Sequence, residues 1–184
     1  MNTYNEYFKE FNRLAVGKYA DLSYGNPNPN PTAAALESLI AYSNYIGDSN
    51  ATILDSGAGA STWMIRQMFN NVVTNEPNKH YLEFIEHLCK ENGIKGGGFY
   101  LGWDGIEKVD HCFYDYGDSE RYPNLIHAIE LTNKSIYVDD TNYRPECADY
   151  KKLTIDLCNK LGLKYFYLED VNETSTRGGL IIEK

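Results

Sequence analysis

The hydrophobic residues of this chain recur first at helical spacing and then in short apolar runs. Near the N-terminus they form one stripe, which predicts an amphipathic helix ending near Gly17: Tyr4, Tyr7, Phe8, Phe11 and Leu14. An alternating Asn-Pro run follows at 26–31, and because proline fixes φ and lacks an N–H donor, it predicts an extended connector. We expect residues 1–31 to pack on a main domain at 32–184, to act as a lid, or to form a homodimer contact through the helix.

From residue 32 onward, helical patterns separate short buried strands. The strands are predicted at 51–55, 72–74, 98–102, 109–115, 136–138, 165–169 and 179–183. Strands that alternate with helices form parallel βαβ units. Only 170–177 lies between the last two strands, which is too short for a crossover helix, so these two should pair antiparallel. The pattern therefore predicts an α/β domain with a mostly parallel sheet.

The glycine-rich segment 53–62 (ILDSGAGAST) joins the first strand to a helix. Glycines there allow a tight turn and a close approach of the backbone to a ligand, and the N–H groups of the helix start favour a polar or anionic group. Glu76 ends the second strand, where a carboxylate can accept both hydrogen bonds from a ribose diol. The alternative is a loop glutamate that only faces solvent. Together with the turn, Glu76 predicts a nucleoside site.

The carboxylate of Asp55 argues against a dinucleotide, because it would repel a pyrophosphate near this turn. A cofactor with a cationic methionyl end suits it better. The D-x-G-x-G pattern at 55–59 resembles motif I of the class I methyltransferases, which use S-adenosylmethionine, and 57–62 resembles the G-x-G-x-S-T of their small-molecule O-methyltransferase branch. The resemblance covers about 32–184. It implies a Rossmann-like three-layer sandwich with a seven-stranded sheet of order 3-2-1-4-5-7-6 and an antiparallel strand 7.

S-adenosylmethionine is the cofactor that this resemblance implies, with Glu76 on the ribose hydroxyls. Asp104 would lie near the adenine amine, and Trp103 would either cover the adenine face or belong to the core. The residues implied to contact the cofactor are Asp55, Gly57, Gly59, Ser61, Glu76, Trp103, Asp104 and Asp115.

Three aspartates end two neighbouring strands at the same edge of the predicted sheet. Asp115 closes the fourth strand, and Asp139 and Asp140 close the fifth. Converging carboxylates repel one another, and a divalent cation with hard oxygen ligands would relieve this. The set resembles the magnesium-dependent O-methyltransferases of catechols and antibiotic sugars, and the Asp-Asp pair is closer to the sugar-type branch. Mg²⁺ on these three residues is therefore expected, and aspartates that only cap turns are the alternative.

One feature of that family is missing here. Its members often carry a histidine shortly after the strand-four aspartate as a general base, whereas 115–122 contains none. Asp115 and Asp118 are therefore the predicted catalytic carboxylates, with Glu120 as another option. His111 is expected to be structural.

Composition narrows the function further. The net charge of −9 and pI of about 4.9 disfavour nucleic acid as a partner, and no apolar stretch is long enough to cross a membrane. The four cysteines lack zinc spacing, which favours free thiols in a cytoplasmic protein. The leading hypothesis is methyl transfer to a hydroxyl of a small polar acceptor such as a sugar. A non-catalytic cofactor-binding module and an NAD-dependent oxidoreductase are the alternatives.

Overall fold

The computed structural model describes residues 36–116, 121–141, 148–167 and 179–184. The predicted N-terminal helix and the Asn-Pro connector lie outside these ranges. So do two of the predicted catalytic carboxylates, Asp118 and Glu120.

Helices and strands alternate along the described chain as the hydrophobic pattern predicts. The helices are α1 (Leu36–Ile46), α2 (Ala60–Met68), α3 (Lys79–Glu91), α4 (Arg121–Leu131) and α5 (Ala148–Leu161). The strands are β1 (Thr52–Ser56), β2 (Asn71–Glu76), β3 (Phe99–Leu101), β4 (Val109–Tyr114), β5 (Thr132–Val138), β6 (Lys164–Tyr167) and β7 (Leu180–Glu183). No helix among these is long and apolar enough to span a membrane.

The strands form one seven-stranded sheet of order β3-β2-β1-β4-β5-β7-β6. Neighbours from β3 to β5 pair parallel, whereas β7 pairs antiparallel with both β5 and β6. The predicted fold, strand order and antiparallel last strand are therefore confirmed.

Both faces of the central strands are buried, which explains why they read as continuous apolar runs. Successive side chains alternate between two clusters. On β1, Leu54 packs toward α4 and α5, and Ile53 packs toward α1 and α2. On β4, Cys112 and Phe113 divide in the same way. The sheet is thus the middle layer of three.

Two elements differ from the pattern-based expectation. Helix α4 begins at Arg121 rather than after Pro123, because proline is tolerated in the first turn, where its missing N–H needs no partner. Strand β5 begins at Thr132 and therefore includes a polar stretch before the predicted apolar residues, since its start lies at the exposed end of the sheet.

The described cysteines agree with the expectation of free thiols. Cys89, Cys112 and Cys158 are all buried and unpaired with any other cysteine, and Cys147 lies outside the described residues.

Candidate functional site

A small concavity of about 10 Å³, the space of about one water molecule, lies where β1, β4 and β5 end. In open parallel sheets this edge is where ligands bind. Its apolar wall comes from Leu39, Ile65, Phe113, Tyr114 and Tyr137, and its polar wall from Asp55, Ser61, Asp115 and Asp139. Three of the predicted cofactor residues, Asp55, Ser61 and Asp115, therefore meet in one place.

The turn after β1 is held by Gly57, whose φ of +104° lies in the left-handed region that favours glycine. A Cβ atom there would lie 2.1 Å from the carbonyl oxygen of Asp115. The close approach that requires glycine is therefore between this turn and the end of β4. This differs from the expectation that the space beside Gly57 is needed for the ligand itself.

Gly59 precedes α2, and its N–H donates to the hydroxyl of Thr62 at 2.9 Å. The N–H of Thr62 donates in return to the carbonyl of Gly59 at 3.1 Å. The helix start is thus closed by local bonds, and the backbone of Gly59 is extended, a conformation open to any residue.

Glu76 lies at the tip of β2 and is fixed by two backbone amides. The N–H of Ala58 donates to Oε2 and that of Asn78 to Oε1, both at 3.0 Å. The carboxylate therefore spans the gap between the loops that follow β1 and β2, with only 7% of the residue exposed. Each carboxylate oxygen can accept a second hydrogen bond, which leaves the capacity that a ribose diol needs. Burial raises the pKa of Glu76, and the two amides lower it.

Asp55 faces α2 rather than the tip of the sheet. Its Oδ2 accepts from the hydroxyl of Thr74 at 3.1 Å, and Thr74 in turn accepts from Nε and Nη2 of Arg66. Burial raises the pKa of Asp55 to about 6, against the lowering effects of Thr62, Arg66 and Thr74. Asp55 still borders the concavity, so its predicted place beside the methionyl group stays a prediction.

After β3, Trp103 packs against other side chains, whereas Asp104 is exposed. Trp103 donates from its indole nitrogen to Oδ1 of Asn124 at 2.8 Å and packs on Tyr116 with ring centroids 4.9 Å apart. These contacts agree with its core alternative. Asp104 is exposed in a turn. Leu101, which pairs in register with Glu76, is 53% exposed and was not singled out by the sequence. It offers an apolar surface next to the end of β2.

The three predicted metal ligands do converge. Ligand oxygens of Asp115, Asp139 and Asp140 all lie within 4.8 Å of one another. Parallel pairing of β4 with β5 brings the strand ends together, and Asp140 turns the chain with a φ of 57°. Aspartate is one of the few residues besides glycine that tolerates this conformation.

A cation that the sequence analysis missed lies among these carboxylates. Arg121 donates from Nη2 to Oδ1 of Asp115 in a close ion pair and from Nη1 to Oδ2 of Asp140 at 3.3 Å. Burial alone would lower the pKa of Arg121, but the three aspartates raise it above its ordinary value. The signal in the sequence was a cation in the first turn of a helix, where the helix dipole disfavours positive charge.

Asp139 is the most deeply buried member of the cluster, at 1% exposure. Its Oδ1 accepts from the hydroxyl of Tyr137 at 2.9 Å. Burial raises the pKa of Asp139 to about 6, and the neighbouring charge of Asp140 adds to the effect.

The carboxylates are hard oxygen donors of the kind that bind Mg²⁺. With Arg121 bonded to two of the three, however, the set does not fit a divalent ion as it stands. The predicted convergence is confirmed, whereas the magnesium assignment stays a prediction that Arg121 opposes.

His111 was expected to be structural, and its contacts agree with that expectation. His111 is buried, and its Nδ1 lies 2.7 Å from the hydroxyl of Ser135, within the sheet and away from the acidic cluster. His80, His87 and His127 are exposed on helices.

No protein-family model matches the sequence, and no curated protein does. Solved structures do match. A methyltransferase from Pyrococcus furiosus aligns with a TM-score of 0.64 and 17% identity, over 96% of this chain and 98% of that one. An O-methyltransferase from Bacillus cereus in complex with S-adenosylhomocysteine aligns with a TM-score of 0.64 and 14% identity, over 100% and 91% of the two chains.

A third structure, Trm5b from Pyrococcus abyssi, aligns with a TM-score of 0.54 and 16% identity over 79% of this chain. The chain spans only about half of that protein, 47% of its length. Likeness at such low identities concerns the fold, and it agrees with the strand order described above. The chain has the fold of the class I S-adenosylmethionine-dependent methyltransferases.

Proposed function

We propose that this protein transfers the methyl group of S-adenosylmethionine to a hydroxyl of a small polar acceptor, as a sugar would offer. The observation that carries the proposal is the fixed carboxylate of Glu76 between the loops after β1 and β2. A loop that only needed to pack would gain nothing from a buried carboxylate with acceptor capacity left over.

On the cofactor side, Glu76 would hold the ribose diol, and the turn at Gly57 and Gly59 would border the methionyl and ribose portions. Asp55, Ser61 and Asp115 line the small concavity beside which the methionyl group would lie. When bound, the cofactor supplies an electrophilic methyl group. The protein contributes mainly alignment, which can lower a barrier by several kcal/mol.

On the acceptor side, the carboxylates at the ends of β4 and β5 are the groups that can orient a hydroxyl and take its proton. Asp115 and Asp118 are the predicted catalytic residues. Asp139 is a third option, because a carboxylate whose pKa is raised to about 6 is a better base than an ordinary aspartate. Divalent-metal assistance at Asp115, Asp139 and Asp140 is not required by this proposal.

Calorimetric titration with S-adenosylhomocysteine tests the cofactor assignment. Wild-type protein should bind one equivalent, and Glu76→Gln should bind about 30-fold or more weakly, because it removes a charge-assisted acceptor. Glu83→Gln is the matched control, since Glu83 lies on α3 in an exposed pair with Lys79. Equal affinity of Glu76→Gln and wild type would contradict the proposal.

A screen of hydroxylated small molecules with a labelled methyl donor tests the transfer itself. Label should appear in a polar acceptor, and Asp115→Asn should abolish or strongly slow the transfer. Tight S-adenosylhomocysteine binding without transfer to any acceptor class would favour the non-catalytic alternative.

A further inference from the structure

Arg121 lies among the carboxylates at the ends of β4 and β5. Arg121 contacts Asp115 through Nη2 and Asp140 through Nη1, and Nη1 also lies 3.5 Å from the carbonyl oxygen of Asp139. Arg121 thus forms ion pairs with two of the three aspartates of this cluster. Its guanidinium therefore offsets part of the repulsion among three neighbouring carboxylates.

The placement of Arg121 is built into the fold. The residue is only 6% exposed, and its own carbonyl accepts a hydrogen bond from the hydroxyl of Tyr114 on β4. The ring of Tyr150 on α5 lies 5.7 Å from its guanidinium carbon. These contacts fix Arg121 from two elements besides its own, so it differs from a surface arginine that swings into solvent.

This placement opposes the local preference of the chain. Arg121 is the first residue of α4, and the positive end of the helix dipole disfavours a cation there. Burial disfavours it as well. The carboxylates of Asp115, Asp139 and Asp140 offset both effects, which indicates that the arginine is matched to them.

A divalent ion would need the oxygens that Arg121 already contacts. Such ions bind carboxylate oxygens at roughly 2.0–2.6 Å. The same Oδ1 of Asp115 and Oδ2 of Asp140 are bonded to the guanidinium. A dication at this place would also be repelled by a fixed positive charge a few ångströms away.

We infer that Arg121 is the resident counter-ion of this cluster and takes the place of a divalent metal. The aspartates should bind a metal only after Arg121 is removed. The consequence for catalysis rests on the proposed function: methyl transfer should proceed without a divalent ion, and EDTA should leave its rate unchanged.

Terbium luminescence tests the inference without any need for the methyl donor. Tb³⁺ prefers the same hard oxygen ligands, and the rings of Tyr114 and Tyr137 near the cluster can sensitise its emission. Wild-type protein, Asp115→Asn, Arg121→Gln, Arg121→Lys and the double variant Arg121→Gln with Asp115→Asn are titrated with Tb³⁺. Background binding to surface acids is the same in all five proteins, so the differences between them report on the cluster.

Arg121→Gln should bind Tb³⁺ about 100-fold or more tightly than wild type, and the double variant should lose that gain. Arg121→Lys keeps the positive charge and should resemble wild type. Tight binding by wild type that Asp115→Asn removes would overturn the inference, and this arm needs no arginine variant to fold. A folded Arg121→Gln without added affinity would overturn it as well. Neither outcome depends on S-adenosylhomocysteine binding, which tests the proposed function separately.

Discussion

Two regions of the same sheet edge hold carboxylates by different means. At the tips of β1 and β2, Glu76 is fixed by the neutral N–H groups of two loops. At the tips of β4 and β5, Arg121 forms ion pairs with two of the three aspartates, Asp115 and Asp140. Backbone amides orient a carboxylate and leave it free to accept more hydrogen bonds, whereas a guanidinium neutralises it. The first region is therefore suited to hold a neutral diol, and the second to balance charge.

The largest loss of stability is expected for a substitution of Gly57, which lies where the two regions touch. Gly57→Ala would place a Cβ atom 2.1 Å from the carbonyl of Asp115, so the turn and β4 could not keep their spacing. We expect a loss of about 4 kcal/mol or more in the free energy of unfolding, measured with urea. Gly102→Ala is the control, because its φ of +74° is strained but nothing lies within 4 Å of the added atom. It should lose only about 1–2 kcal/mol. Equal losses would show that backbone conformation, rather than the contact between the regions, dominates.

The second largest effect on stability is expected for Arg121→Gln, which changes the region at the tips of β4 and β5. Without the guanidinium the aspartates lose their counter-charge, and we expect the free energy of unfolding to fall by about 3–5 kcal/mol. Mg²⁺ should restore part of that loss in Arg121→Gln and have little effect on wild type, because a ligand that binds only the folded state stabilises it. Urea unfolding with and without Mg²⁺ measures both. A stabilising effect of Mg²⁺ on wild type of the same size would contradict the difference drawn between the two regions.

The smallest effect on stability is expected for a substitution of Asp55, which is buried beneath the crevice between the tips of β1 and β2. Burial raises its pKa to about 6 from the ordinary 3.8, so the folded protein holds the proton more tightly than the unfolded chain. Stability from this group is present below about pH 4, declines as the pH rises to about 6, and stays reduced above. Asp55→Asn does not titrate. It should therefore exceed wild type in the free energy of unfolding by about 1–3 kcal/mol at pH 7.5.

This advantage of Asp55→Asn should vanish below about pH 4. Asp156→Asn, an exposed change on α5, is the control and should stay within about 0.5 kcal/mol of wild type at both pH values. An Asp55→Asn advantage that grew as the pH fell would show that the carboxylate stabilises the fold instead.

The fold could be predicted because its determinants are local and repeated. Apolar strands such as β1 and β4 are buried on both faces, and the short link between β6 and β7 excludes a crossover. Glu76 and the turn at Gly57 could be located because the strand ends define where they lie. The meeting of Asp115 with Asp139 and Asp140 followed from the neighbouring positions of β4 and β5.

Long-range pairing of side chains could not be read from the pattern. Arg121 lies in the first turn of α4, which begins two residues before Pro123, and the hydroxyl of Tyr114 donates to its carbonyl. The structural need for glycine at position 57 could not be predicted either, since the group that it lies against, the carbonyl of Asp115, is distant in sequence.

A crystal structure after soaking with S-adenosylhomocysteine tests the central claim most directly. The account predicts density for the nucleoside between the tips of β1 and β2, with its two ribose hydroxyls donating to the carboxylate of Glu76. An empty crevice at saturating ligand, or a nucleoside bound elsewhere with Glu76 bonded only to Ala58 and Asn78, would contradict it.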